Sequence, residues 1–63
     1  MGNRVKEYRV EKNFTQTDLA MAIGVTRQTI GLIEADKYNP SLKLCIAIAR
    51  VLCVTLNDLF WEE

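Results

Sequence analysis

Two helix-start signals lie close together in this chain, with a glycine and a valine between them. Thr15 precedes Asp18 by three residues, the spacing of a capping box. Phe14 and Leu19 occupy the flanking positions of a hydrophobic staple. Thr26 is the second start, with Val25 and Ile30 as its staple pair. Gly24 stands between the two helices and can take the positive φ that ends the first at once. The apolar positions agree. Leu19, Ala20 and Ile23 share one face of the first helix, and Ile30 and Ile33 share one face of the second. Ala20 is small where two crossing helices must approach.

Residues 16–35 therefore read as helix, tight turn, helix. This is the helix-turn-helix unit, whose second helix enters the DNA major groove. The competing reading is an ordinary corner between two helices of a small bundle. Agreement among spacing, caps, turn glycine and small residue favours the first.

A chain of 63 residues makes one domain, residues 1–63. At that size only about 60% of the unfolded surface is buried, so association with a second copy is a natural source of stability. The 49% hydrophobic content is sufficient for a core and argues against disorder. A net charge of zero does not by itself announce a nucleic-acid binder. The distribution says more: all eight basic residues precede residue 51, while Asp58, Glu62 and Glu63 close the chain. A basic half and an acidic end suit a DNA face and a far side. The alternative is a solvated mixed surface.

Cys45 and Cys53 are eight residues apart, with no CxxC and no histidine. On one helix that spacing is about 12 Å of rise, too far for a disulfide. No metal site is expected, and no cofactor. Both cysteines read as small apolar residues in a reducing cytoplasm. The longest apolar run, Leu44 to Ala49, is far short of the roughly 20 residues of a membrane span. No signal-peptide pattern opens the chain.

Taken in order, Asn3 to about Lys12 reads as a first helix with Val5 and Tyr8 inward, followed by Asn13 in a turn. After the helix-turn-helix, Asn39-Pro40 interrupts the pattern. Ser41 is the expected cap of a fourth helix, with Asn39 competing. In that helix Leu42, Cys45, Ile46, Ala49 and Leu52 form one stripe, and Leu44, Ile48 and Val51 a second. The first is expected to face the core. Thr55 caps a short fifth helix, with Asp58 closing its capping box and Val54 stapling onto Leu59.

These residues resemble a known family. Arg9, the stretch FTQTDLA at Phe14–Ala20, GVTRQTI at Gly24–Ile30, Ile33-Glu34, KYNPSL at Lys37–Leu42 and VTLNDLF at Val54–Phe60 together are similar to the Cro/repressor-type helix-turn-helix regulators, the xenobiotic-response-element-like repressors of bacteria and phages. The resemblance runs from about Val5 to Phe60 and is nearest to short stand-alone members. It implies an all-α, five-helix repressor-like domain. It further implies a sequence-specific transcriptional regulator, a repressor that binds a palindromic operator as a homodimer. Three positions depart from the pattern. Asp36 and Cys53 stand where the family usually has a helix-ending glycine, and Gly31 lies inside the recognition helix, where it costs about 1 kcal/mol relative to alanine.

Roles follow from the resemblance and from the chemistry of the side chains. The first turn of the second motif helix exposes Arg27, Gln28 and Thr29 to base edges. Gln28 is the first choice as a direct reader, since glutamine pairs bidentately with adenine. Arg27 can read guanine or clamp a phosphate. Thr29 can meet a phosphate or a thymine methyl. Gln16, at the positive end of its helix, and Thr26 are expected at phosphates. Lys37, Tyr38 and Asn39 resemble the family's second phosphate-contacting segment. Arg9 and Glu34 stand where the family pairs them, and an ion pair between them is expected.

For the homodimer, Leu44, Ile48 and Val51 offer an apolar stripe beyond the core-facing one, with Phe60 and Trp61 beside it and Trp61 as anchor. The stretch Leu59–Glu62 is open to an extended form that pairs with its twin. A protein-interaction module such as an antitoxin, built on the same fold, is the competing function. Enzyme chemistry is not expected: histidine, a phosphate-binding glycine loop and a metal cluster are all lacking.

Overall fold

A computed structural model of the chain describes residues 3–60. The described residues form five α-helices: α1 (Val5–Glu11), α2 (Gln16–Ile23), α3 (Arg27–Glu34), α4 (Leu42–Leu52) and α5 (Leu56–Phe60). Each start is set by a side chain that satisfies a free backbone N–H. Asn3 Oδ1 accepts from Val5 N–H at 3.0 Å, just outside α1. Thr15 and Asp18 make the reciprocal pair of a capping box, both bonds 2.9 Å. Thr26 Oγ1 accepts from Thr29 N–H, and Ser41 Oγ from Leu44 N–H. Ser41, not Asn39, is thus the cap of α4. Thr55 and Asp58 repeat the reciprocal arrangement at α5, at 3.1 Å each.

The helix ends share one design. Asn13, Gly24, Asp36 and Cys53 all lie in the left-handed region, at φ of 65°, 80°, 62° and 59°. After each, the next residue donates back into the last turn: Phe14 to Arg9, Val25 to Ala20, Lys37 to Leu32 and Val54 to Ala49, all at 2.9–3.0 Å. This is the bond pattern that ends a helix within one residue. Only one of the four positions is a glycine. At Asp36 and Cys53 the turn forms without it, so the helices end where the family's glycines would end them.

The core is built from Val5, Leu19, Ala20, Ile30, Ile33, Ile48, Ala49, Leu52 and Leu59. Tyr8, Phe14, Val25, Leu44, Val51 and Phe60 pack against it from the rim. Arg4 N–H donates to the Leu59 carbonyl at 2.9 Å, which fastens the start of α1 to α5.

The α4 assignment needs correcting. Its buried residues are Cys45, Ile48, Ala49 and Leu52. Ile48 is fully buried, so it cannot belong to an outward stripe, whereas Leu42 is 64% exposed and Ile46 37%. The helix is apolar almost all round, and its buried face is centred between the two stripes read from the sequence. Ile48 and Leu52 are its fully buried residues, with Ala49 and Cys45 slightly less covered. The expected extended segment at Leu59–Glu62 is also corrected in its first half. Leu59 and Phe60 are the last residues of α5. Trp61 and Glu62 lie outside the described residues, and so does the expectation that Trp61 anchors an interface.

Candidate nucleic-acid interface

Thr26 and Gly24-Val25 fix where α3 begins, and the first turn of α3 carries the candidate reading residues. Arg27 and Gln28 are exposed and Thr29 is half-buried. Thr29 is tied locally: its hydroxyl lies 3.0 Å from that of Thr26, which also caps the Thr29 N–H. Gln28 has no hydrogen-bonding partner among the described residues. Behind this turn, Ile30 and Ile33 are fully buried and hold α3 on the core.

Under the same turn runs a chain of polar side chains. Arg9, only 8% exposed, donates from Nε to Glu34 Oε2 at 2.6 Å and from Nη1 to the Phe14 carbonyl at 2.7 Å. The ion pair expected between Arg9 and Glu34 is therefore present, with both side chains almost fully covered. A buried guanidinium needs both a counter-charge and hydrogen-bond acceptors, and here each of the three nitrogens has one, Nη2 reaching Glu34 Oε1 at 3.4 Å. Glu34 Oε1 also accepts from Gln16 Nε2 at 3.0 Å, and Gln16 Oε1 accepts from Arg27 Nη1 at 3.0 Å. The structure thus joins Arg9, Glu34, Gln16 and Arg27, which the sequence presented as an ion pair and two separate contacts.

Asn3 was not singled out from the sequence. Its Nδ2 donates to the Ile33 carbonyl at 2.8 Å, near the end of α3. Together with the Arg9–Glu34 pair this fixes the C-terminal half of α3 to α1. An asparagine two residues before the first apolar helical residue is the available signal, since asparagine is enriched around helix starts.

Lys37, Tyr38 and Asn39 lie on the loop that leaves α3, and all three are exposed. Tyr38 keeps 44% of its surface in solvent. Among the described residues no cluster of His, Cys, Asp or Glu is arranged to hold a metal ion, and no helix is long and apolar enough to cross a membrane. Cys45 and Cys53 are free thiols, the first buried and the second exposed. Burial pushes the Cys45 thiol above its ordinary pKa, which suits a packing role.

A capped recognition helix presented by a preceding helix across a tight turn defines the helix-turn-helix class of DNA-binding domains. The chain belongs to the helix-turn-helix family, whose model matches residues 5–59. A helix-turn-helix transcriptional regulator of Archaeoglobus fulgidus is 50% identical, over 100% of this chain and 99% of that protein. The immunity repressor protein of Bacillus phage phi105 is 36% identical over 100% of this chain, which spans 44% of the repressor's length. Among solved structures, the regulator of biofilm formation SinR in complex with DNA superposes with a TM-score of 0.79 at 33% identity, covering 86% of this chain and 87% of that one. The protein is accordingly a DNA-binding domain of the transcriptional-regulator class, and not an enzyme.

Proposed function

We propose that the protein is a transcriptional repressor of the cytoplasm that binds a palindromic operator as a homodimer. The observation that carries this is the first turn of α3, where Arg27 and Gln28 stand exposed on a helix locked to the core by Ile30 and Ile33. In this reading Gln28 pairs with a base edge, and Arg27 and Thr29 contact bases beside it. Lys37, Tyr38 and Asn39 meet one phosphate segment. The backbone N–H groups at Gln16 and Thr26 lie at the other, where helix starts favour anions, while the Gln16 side chain is held by Glu34 and Arg27. The likeness to a phage immunity repressor supports repression as the outcome.

The homodimer rests on a size argument. One recognition helix reads only a few base pairs, and a two-fold pair places two such helices about 34 Å apart on one DNA face. The proposed contact surface is the rim of α4 and α5 at Leu44, Val51 and Phe60, with Trp61 as anchor. Ile48 contributes to the core behind it.

Selection of bound duplexes from a randomised pool tests the reading. The expected result is two inverted half-sites with centres one helical turn apart. Enrichment of no sequence, together with sedimentation as a 7.2 kDa monomer on and off DNA, would overturn it.

A further inference from the structure

The hydrogen bonds beneath α3 impose an order on the side chains at its start. Glu34 offers only acceptors, and its Oε1 takes the Nε2 hydrogen of Gln16 at 3.0 Å. The Gln16 amide must therefore turn its carbonyl the other way, and that oxygen receives Arg27 Nη1 at 3.0 Å. Arg27 offers only donors, so the two ends of the amide are matched to partners of opposite kind. Gly31 supports the placement. A Cβ at that position would stand 3.7 Å from Gln16 Nε2 and 4.0 Å from Oε1, so the amide lies over the bare stretch of the recognition helix. The far end of the chain is anchored by Arg9, itself bound to the Phe14 carbonyl.

We infer that Gln16, oriented by Glu34, is a positioning residue that makes Arg27 a reader of guanine and not a phosphate clamp. With Nη1 held from behind, the guanidinium keeps a free edge of parallel N–H donors. That edge fits guanine O6 and N7, the commonest specific arginine contact in the major groove. A side chain as long as arginine's otherwise gives up considerable rotamer freedom to hold one pose. Here part of that loss has already occurred in the free protein. The buried ion pair then has a second consequence: Glu34 links the packing of α1 to base choice at the start of α3. This inference rests on the operator-binding reading.

The test is duplex selection with wild type, Arg27→Ala, Gln16→Leu, Gln16→Met and the double variant Gln16→Leu/Arg27→Ala, each checked for helical content. The expected wild-type site contains a guanine whose preference vanishes in Arg27→Ala. Gln16→Leu should lower the preference for that guanine about five- to tenfold and leave the remaining positions unchanged. Gln16→Met repeats the result with a side chain of similar length. In the double variant the Gln16 change should add nothing to Arg27→Ala. The inference is overturned if Gln16→Leu and Gln16→Met keep the wild-type preference, or if the Gln16 change weakens binding further in the absence of Arg27. It is also overturned if Arg27→Ala lowers affinity for all duplexes alike. A wild type that enriches nothing removes the operator-binding reading itself. That outcome is distinct from an intact site at which only the Gln16 coupling fails.

Discussion

The two sides of this small core are held by different chemistry. On the α1–α3 side, a buried guanidinium, a carboxylate and two amide side chains join three helices through directional bonds. On the α4–α5 side, Ile48, Ala49, Leu52 and Leu59 are buried by packing. Directional bonds fix an orientation to fractions of an ångström and leave a stranded charge if one partner is lost. Apolar packing is more forgiving of which atoms touch, and it responds to volume. The candidate reading residues sit on the directional side. A helix that must present side chains to base edges gains from that rigidity.

The comparison is tested most severely by Glu34→Ala. Losing the carboxylate leaves the Arg9 guanidinium buried and unpaired, and should lower the unfolding free energy by about 3–5 kcal/mol in urea titration. Replacing both partners, as in Arg9→Met/Glu34→Leu, should lose much less. A loss under about 1 kcal/mol in Glu34→Ala would mean that the pair behaves as an exposed one.

The packed side should answer to volume alone. Ile48→Ala should cost about 2–5 kcal/mol by opening a cavity. Leu42→Ala, on the exposed side of α4, should stay within about 0.5 kcal/mol. The reverse order would restore the face that the sequence stripes suggested.

A smaller effect, of opposite sign, is expected where α4 ends. Cys53 adopts φ 59° with a full side chain, which costs about 1–2 kcal/mol, while glycine carries about 0.5–1 kcal/mol of extra chain entropy. Cys53→Gly should therefore raise stability by about 0.5–1 kcal/mol in the same titration. Asp36→Gly should gain less, because aspartate tolerates the left-handed region. Destabilisation by Cys53→Gly would assign the thiol a packing role.

The smallest effect is electrostatic. The Asp18 carboxyl is held below its ordinary pKa, first by the backbone N–H of Thr15 and then by the Thr15 hydroxyl. A lowered folded-state pKa means that the contribution is complete above the ordinary aspartate range and fades as pH falls through the lowered value. The thermal midpoint difference between wild type and Asp18→Asn should shrink steadily as the pH drops below about 4. A difference that grows on acidification would reverse the sign.

The same contrast explains what could be read from the sequence. The bounds of α2 and α3 depend on local bonds between Thr15, Asp18, Thr26, Gly24 and their own backbone neighbours, all within a few residues. Such signals survive in a linear string. The buried face of α4 depends on what lies across the core, and the run Leu44 to Ala49 offers apolar side chains in every direction. Stripe counting therefore puts Ile48 outside and Leu42 and Ile46 inside, the reverse of what packing selects. The Gln16 link to Glu34 and Arg27 spans residues far apart in sequence, and spacing alone carries no trace of it. Asp36 and Cys53 show a further limit, since their helices end as a glycine would have ended them.

The most direct measurement compares Gln28→Ala and Lys37→Ala for binding to the selected duplex and to random duplex across a salt series. Gln28→Ala should cost about 1–3 kcal/mol on the selected duplex alone and relax choice at one base position. Lys37→Ala should weaken both duplexes and reduce the salt slope by about one unit. If both variants lose affinity equally for selected and random DNA, Gln28 does not read a base and the division into reader and clamp fails.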